Sequence, residues 1–479
     1  DARAFYEEVD HFMDFGPDKR FWYGPGKPPT GSGGDVGFDL LGNGYPCSPI
    51  SGSRVVNKMM VGCAAGMPMY TERETLGATV TADIELSEQD LLRVGAQYRR
   101  YQLVDWWTAS GAGMGPGTFD NINDGERDRL GAFAEWESRV GEEWLTLLGI
   151  RYERVATDAG DVRGYSTAVN AQGNQYADAA AFNARDRERT DDNLDLTALG
   201  RYSVDPSLDI ELGAARKVRS PNLYERYTWS TWSMAAAMNN FVGDGNGYIG
   251  NLDLEPEKAY TLSVTFDWHA ADRSWEVKAT PYYTRVVDYI DAVRCTKGVA
   301  CTPANATATD QFVVLQYENH SARLYGVDLS GNALLARGTH YGDLTARGVV
   351  SYTRGENRDT GDNLYNIMPL NARLALTQKI GAWRNTVEGE LVARKDNVSA
   401  VRNEMETPGY GLVHLRGRYV QKRYSVDFGI ENLFDRFYSL PLGGAYVGQG
   451  TTMSINGVPW GTPVPGPGRS FYAGVNVPF

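Results

Sequence analysis

Long hydrophobic runs are missing from this sequence. Nowhere does it reach the roughly eighteen consecutive apolar residues that a membrane-spanning helix requires. That excludes a helical membrane protein but not a barrel, whose strands alternate lipid-facing and lumen-facing residues and so average out as polar. Histidine is scarce, with 5 residues, and there is no phosphate loop, nucleophile elbow or zinc-type pair of histidines, so catalysis has no support. Basic charge is in deficit: 47 Lys and Arg against 60 Asp and Glu give a net charge of -13, which argues against nucleic acid as a partner. Asp1 to Tyr6 are not expected to be a leader, because they lack a basic segment, an apolar core and a cleavage site. These residues read as the middle of a strand, so the sequence is expected to start inside a longer protein. Cysteine is limited to 4 residues, in two local pairs within loop-like sequence. Cys47 with Cys63 and Cys295 with Cys301 are expected to be loop disulfides in an oxidising compartment.

What is present is aromatic and glycine-rich: 28 Tyr, 11 Trp and 54 Gly. Apolar and polar residues alternate with a period of two, which is a strand signal. Leu262, Val264, Phe266 and Trp268 form one face against Ser263, Thr265 and Asp267. Val413, Leu415, Gly417 and Tyr419 alternate with His414, Arg416 and Arg418. Tyr424, Val426, Phe428 and Ile430 alternate with Ser425, Asp427 and Gly429. About sixteen such segments are predicted, with boundaries good to a few residues: 1–15, 70–86, 90–106, 126–140, 143–158, 188–205, 208–218, 255–269, 273–291, 312–332, 339–354, 365–381, 383–398, 408–420, 422–435 and 467–479. Short turns (87–89, 141–142, 205–207, 381–382) alternate with long loops (16–69, 159–187, 219–254, 292–311, 436–466). That asymmetry predicts an all-β, antiparallel transmembrane β-barrel with periplasmic turns and external loops. A soluble propeller would show a repeating blade motif, and none is present.

The last segment, Ser470 to Phe479, puts Phe471, Ala473, Val475, Val477 and Phe479 on one face. A terminal aromatic completing an apolar face resembles the C-terminal signature that the barrel-assembly machinery reads, with Phe479 as the signal. Three further motifs resemble the TonB-dependent receptor family, in the family's order. They are Gly429-Ile430-Glu431-Asn432-Leu433-Phe434-Asp435-Arg436-Phe437-Tyr438, Ala215 through Arg219-Ser220-Pro221-Asn222 to Glu225, and Leu254-Glu255-Pro256-Glu257. The resemblance implies a barrel of about 22 strands around an N-terminal plug. On that reading residues 1–479 are barrel, and the plug and about six strands lie outside them. It further implies a bacterial outer-membrane location, contact with membrane lipid, and energising by the TonB complex through the plug.

Soft-metal donors are the most suggestive site residues. His11 and Met13 share one strand face, and Met59, Met60, Cys63, Met67 and Met69 lie in or just beyond the following loop. Thioether, imidazole and thiolate together suit copper(I). The bland alternative is wall and loop packing, with Cys63 bonded to Cys47. A second candidate is aromatic: Trp106, Trp107, Tyr227, Trp229 and Trp232, beside Met234 and Met238, lie where strands enter long loops. In the family such side chains often hold ferric chelates; otherwise they are membrane-interface girdle. A third is charge. Arg416 and Arg418, or one of Arg216 and Arg219, point into the lumen to steer an anionic chelate, or pair there with Glu388 and Glu390. Asp244-Gly245-Asn246-Gly247 lacks the spacing and terminal Glu of a calcium loop and is read as turn chemistry. No resident cofactor is expected.

The functional expectation is active, TonB-dependent uptake of a scarce metal or metal chelate, copper or a ferric siderophore. A passive porin and a surface-binding barrel are the alternatives.

Overall fold

The computed structural model describes residues 1–13, 69–108, 118–169, 175–445 and 460–477, and the backbone of four two- or three-residue strands between residues 22 and 61. The main sheet has 17 strands. They are β1 (Ala2–Met13), β2 (Met69–Glu85), β3 (Asp90–Thr108), β4 (Thr118–Val140), β5 (Trp144–Asp158), β6 (Arg189–Asp205), β7 (Leu208–Arg219), β8 (Gly247–Ile249), β9 (Glu257–His269), β10 (Trp275–Arg294), β11 (Val314–Thr339), β12 (Gly342–Asn357), β13 (Asn371–Ile380), β14 (Trp383–Val392), β15 (Tyr410–Val420), β16 (Ser425–Glu431) and β17 (Ser470–Asn476). The long strands pair antiparallel, each with the next along the chain, from β1 with β2 to β16 with β17. The short β8 adds in parallel to Val314–Gln316. Every predicted segment overlaps one of the long strands.

The two ends of the sheet differ. At one end the connections are tight turns, such as Gly381–Ala382, where Gly381 has φ +55°. A two-residue hairpin needs that left-handed conformation, and glycine adopts it without steric cost. At the other end the connections are long and carry α1 (Gln175–Asn183), α2 (Leu223–Tyr227), α3 (Ser233–Met238) and α4 (Pro303–Thr307).

The outer face shows why this sheet belongs in a bilayer. On β2 the outward residues Leu76, Val80 and Ile84 are exposed, as are Leu86 just past its end, Leu130 on β4 and Leu148 and Ile150 on β5. Leaving that much apolar surface in water is unfavourable at roughly 25 cal/mol per Å². The span from Leu76 to Leu86 matches the about nine to eleven residues with which a tilted strand crosses the hydrocarbon core. Exposed Tyr6, Tyr98, Tyr152 and Tyr260 border the belt on the loop side, and Trp144, Trp268, Trp275 and Trp383 on the turn side. Trp144 packs on Tyr202 at 4.5 Å and Trp383 on Tyr419 at 4.8 Å. These are interfacial girdles. Above Tyr98 the outer face turns polar: Arg100 pairs with Glu126 at 2.8 Å, and Gln102 donates to the same carboxylate. The bilayer therefore ends near Tyr98, and the strands continue beyond it into the loop region.

Candidate functional site

The register of β1, β2 and β3 builds a wall of donors above that level. Met13 is directly opposite Met69, and Met69 is opposite Trp107; two residues down the strands, His11 is opposite Thr71 and Thr71 opposite Asp105. Directly opposed residues share a face, so His11, Met13, Met69, Asp105 and Trp107 all face the lumen. Trp106 has the other parity. It stacks on Tyr70 at 5.3 Å, and Tyr70 meets Phe12 at 4.8 Å, on the outer face.

Behind this wall lies the largest loop-end core. Met69, Trp107, Tyr227, Trp229 and Trp232 are all buried in one cluster, with Met234, Met238 and Tyr224 packed against it. Phe119 is stacked between Trp107 at 4.5 Å and Trp229 at 4.9 Å. The structure thus gathers most of the sequence-predicted aromatic and thioether residues, while their rings are largely enclosed. The Trp229 indole donates to the Asp120 carbonyl at 2.9 Å, and the Tyr227 hydroxyl donates to the Arg187 carbonyl at 2.9 Å. Burial pushes the Tyr227 phenol up to about 12, so it stays a neutral donor.

Asp105 was not singled out from sequence. It is buried, Asn121 donates to one of its oxygens at 2.9 Å, and Asn121 in turn bonds Asn239 at the end of α3. Seven residues past Tyr98, it lies outside the bilayer. Burial raises its carboxyl to about 6, against the opposing pull of the Asn121 hydrogen bond and the facing His11. Its position two residues before Trp107, on the same face, is the one signal in the sequence. Cys47, Cys63 and Met67 lie outside the described residues, as do Phe479 and the side chains of Met59 and Met60. Cys295 and Cys301 are disulfide-bonded.

The charged candidates divide. Arg416 pairs with Glu388 and Glu431 at 3.0 Å each, His414 also contacts Glu431, and Arg418 meets Asp427 at 3.4 Å. Glu390 takes Arg373 at 2.9 Å. Arg219 is bound by Glu225 and Glu257, whereas Arg216 lies over the Tyr260 ring on the outer face, 5.8 Å from its centre. Asp244 accepts from Asn246 and from the Tyr248 hydroxyl in a buried network with Arg402. Among the described residues no group of three or more His, Cys, Asp or Glu side chains is arranged to hold a metal ion.

The family model for the TonB dependent receptor-like β-barrel matches residues 27–433. The chain belongs to that family. That family is one of receptors and not of enzymes. Heme/hemopexin utilization protein C of Haemophilus influenzae is 25% identical to it over 256 residues, covering 50% of the chain and 34% of the relative. The chain thus spans about a third of the length of that curated relative. The solved copper transporter OprC superposes with a TM-score of 0.63 at 19% identity, over 86% of this chain and 57% of its own. The FrpB iron transporter from Neisseria meningitidis gives 0.55 at 15% identity, over 85% and 55%. The Serratia marcescens hemophore receptor HasR, solved with its hemophore and heme, gives 0.55 at 16%, over 85% and 59%. These likenesses establish the barrel fold. The cargoes named for those proteins differ.

Proposed function

We propose that this receptor barrel serves TonB-dependent uptake of copper(I) across a bacterial outer membrane, with His11, Met13 and Met69 as barrel-side ligands. The observation that carries the reading is the register of β1 on β2. It sets the Met13 thioether opposite that of Met69, with the His11 imidazole on the same face two residues away. Soft sulfur donors with one imidazole favour copper(I) over hard cations. Asp105 borders the set as a hard donor of opposite charge to the cargo. Copper entering from the loop side would meet these donors above the bilayer. The inner-membrane energy-transducing complex would then act through the remainder of the receptor, and Phe479 would serve the assembly machinery.

Metal analysis and native mass spectrometry of the full-length, detergent-purified receptor test this reading. Wild type should retain copper(I), and His11→Ala or Met13→Ala should release it. Heme is the competing cargo, favoured by the likeness to the Haemophilus heme/hemopexin utilization protein. A receptor that takes up heme or a ferric chelate and leaves copper(I) in solution would overturn the copper reading and move the site to Tyr224, Met234 and Met238 at the border of the aromatic core.

A further inference from the structure

Below the donor wall, at the level of Tyr98, the lumen face of β2, β3 and β4 carries arginines that outnumber their carboxylate partners. Arg99 on β3 lies directly opposite Arg129 on β4, and Arg127 opposite Tyr101. Like charges directly across a strand pair are destabilising, so the arrangement requires a compensating anion. The surrounding carboxylates are already engaged. Glu153 is bound through both oxygens by Arg129 at 2.9 Å and is also taken by Arg151 at 2.8 Å. Glu225 is engaged by Arg219 at 2.9 Å, and Asp105 is bonded to the Tyr224 hydroxyl. Among the described residues Arg99 and Arg127 have no carboxylate partner, and Arg127 reaches only the Ser220 carbonyl, at 3.5 Å. The Nε atoms of Arg99, Arg127 and Arg129 are all buried without a hydrogen-bond acceptor. A buried guanidinium donor left without an acceptor is destabilising.

These side chains do not simply crowd together. Arg99, Arg127 and Arg129 line a recess of 240 Å³ with Tyr101, Asn222 and Tyr224. Arg73 approaches the Tyr101 hydroxyl from β2 and adds a further positive charge. The recess thus offers forked guanidinium donors, the Tyr101 hydroxyl and the Asn222 amide around a space the size of a small organic acid, while the Tyr224 hydroxyl is taken by Asp105. Guanidinium forks match the geometry of carboxylate and phosphate oxygens.

We propose that this recess is an oxyanion-binding site, in which a carboxylate or phosphate group lies between Arg99 and Arg127 and accepts hydrogen bonds from both. The oxyanion belongs either to a free ligand entering the barrel or to an acidic side chain of the full-length receptor. The site is separate from the His11 and Met13 donors, and its test needs no metal.

The test is calorimetric titration of metal-free, full-length receptor in detergent with inorganic phosphate and with citrate, paired with thermal melting of each variant. If the oxyanion is free, wild type binds one of the two probes saturably. Arg99→Gln or Arg127→Gln then weakens binding by roughly tenfold or more, the loss expected for a charge-assisted hydrogen bond. Arg99→Lys, which keeps the charge but not the fork, falls between. If the oxyanion is the receptor's own, neither probe binds wild type, and both glutamine variants lower its melting temperature. The proposal is overturned if no probe binds and both glutamine variants melt at or above wild type, since removing uncompensated repulsion would then be a simple gain. Copper retention is scored separately, so its loss leaves this outcome unaffected.

Discussion

Met13 and Met69 face each other across β1 and β2, yet one is open to the lumen and the other enclosed: Met13 is 46% exposed and Met69 2%. This asymmetry separates ligation from packing. Met13→Ala should stay within about 0.5 kcal/mol of wild type in stability while releasing copper(I). Met69→Ala should lose about 2–5 kcal/mol locally, because it opens a cavity against Trp107 and Trp229. Met69→Leu refills that space without restoring the thioether. Loop proteolysis and copper retention, measured on the same three variants, decide the matter. Full copper retention by Met13→Ala would remove Met13 from the site.

The Cys295–Cys301 bridge closes a loop with a sequence separation of only 6. In the chain-entropy picture so short a loop is worth about 2 kcal/mol, and that gain is local. Both sulfurs pack with Ala236, Ile249 and Val314, and the loop they close is tied to the aromatic core. The amides of Val299 and Ala300 donate to the Thr231 hydroxyl and carbonyl at 2.9 and 3.1 Å. A Cys295→Ser, Cys301→Ser variant should therefore become trypsin-sensitive at the exposed Lys297. It should also show faster hydrogen exchange at Thr231 and Trp232, with no change in the heat stability of the barrel. Unchanged exchange at Thr231 would mean that the tie is held without the disulfide.

The strands were legible because a bilayer imposes alternation on every one of them. The start of β4 is the largest departure: the sequence places it at 126, the structure at Thr118. There Phe119, Asn121 and Ile122 are buried beneath loops, so polar residues replace the outward apolar ones. A left-handed Asp124, at φ +44°, accompanies a register shift between β3 and β4 that breaks the period of two. Helices α2 and α3 were also invisible, being too short for a helical period to develop. The donor wall was legible only in part. His11 and Met13 announce a shared face by spacing, whereas the meeting of Met13 with Met69 depends on register across a long connection. The arginine recess draws on three strands and a loop, and no local pattern marks it.

Arg402 is the cation in a network that joins three segments of the loop end. Its guanidinium contacts Asp291 at 2.5 Å and the Tyr248 hydroxyl at 3.1 Å, with Asp244 at 3.8 Å, and all of these groups are buried. Burial and the Asp244 carboxylate hold the Tyr248 phenol protonated by raising its pKa well above the ordinary value. Arg402→Met leaves two buried carboxylates without a counter-charge and should cost about 3–5 kcal/mol. Hydrogen exchange of residues 244–249 should rise sharply, while strands in the bilayer stay protected. Adding Asp244→Asn and Asp291→Asn should recover most of the loss, because a neutral set carries no uncompensated charge. Failure of the triple variant to recover would show that shape, rather than charge, makes Arg402 necessary.

Asp105 gives the donor wall a pH dependence whose sign follows from its environment. Its carboxyl is raised from 3.8 to about 6 because burial disfavours the charged form. In the unfolded chain the group loses its proton near 3.8, whereas in the folded receptor it keeps the proton until about 6. The folded state therefore binds more protons between these values, and stability falls as pH rises through that window. At neutral pH the buried carboxylate opposes folding of its own neighbourhood, by an amount on the order of 2–3 kcal/mol. Asp105→Asn should protect residues 103–107 from hydrogen exchange at pH 7 better than wild type does, and should flatten the decline between about pH 4 and pH 6. If copper(I) binds beside this group, the charge acquires a partner and copper should steady the wild type more than the asparagine variant at pH 7. An equal effect of copper on both would place the metal out of reach of Asp105.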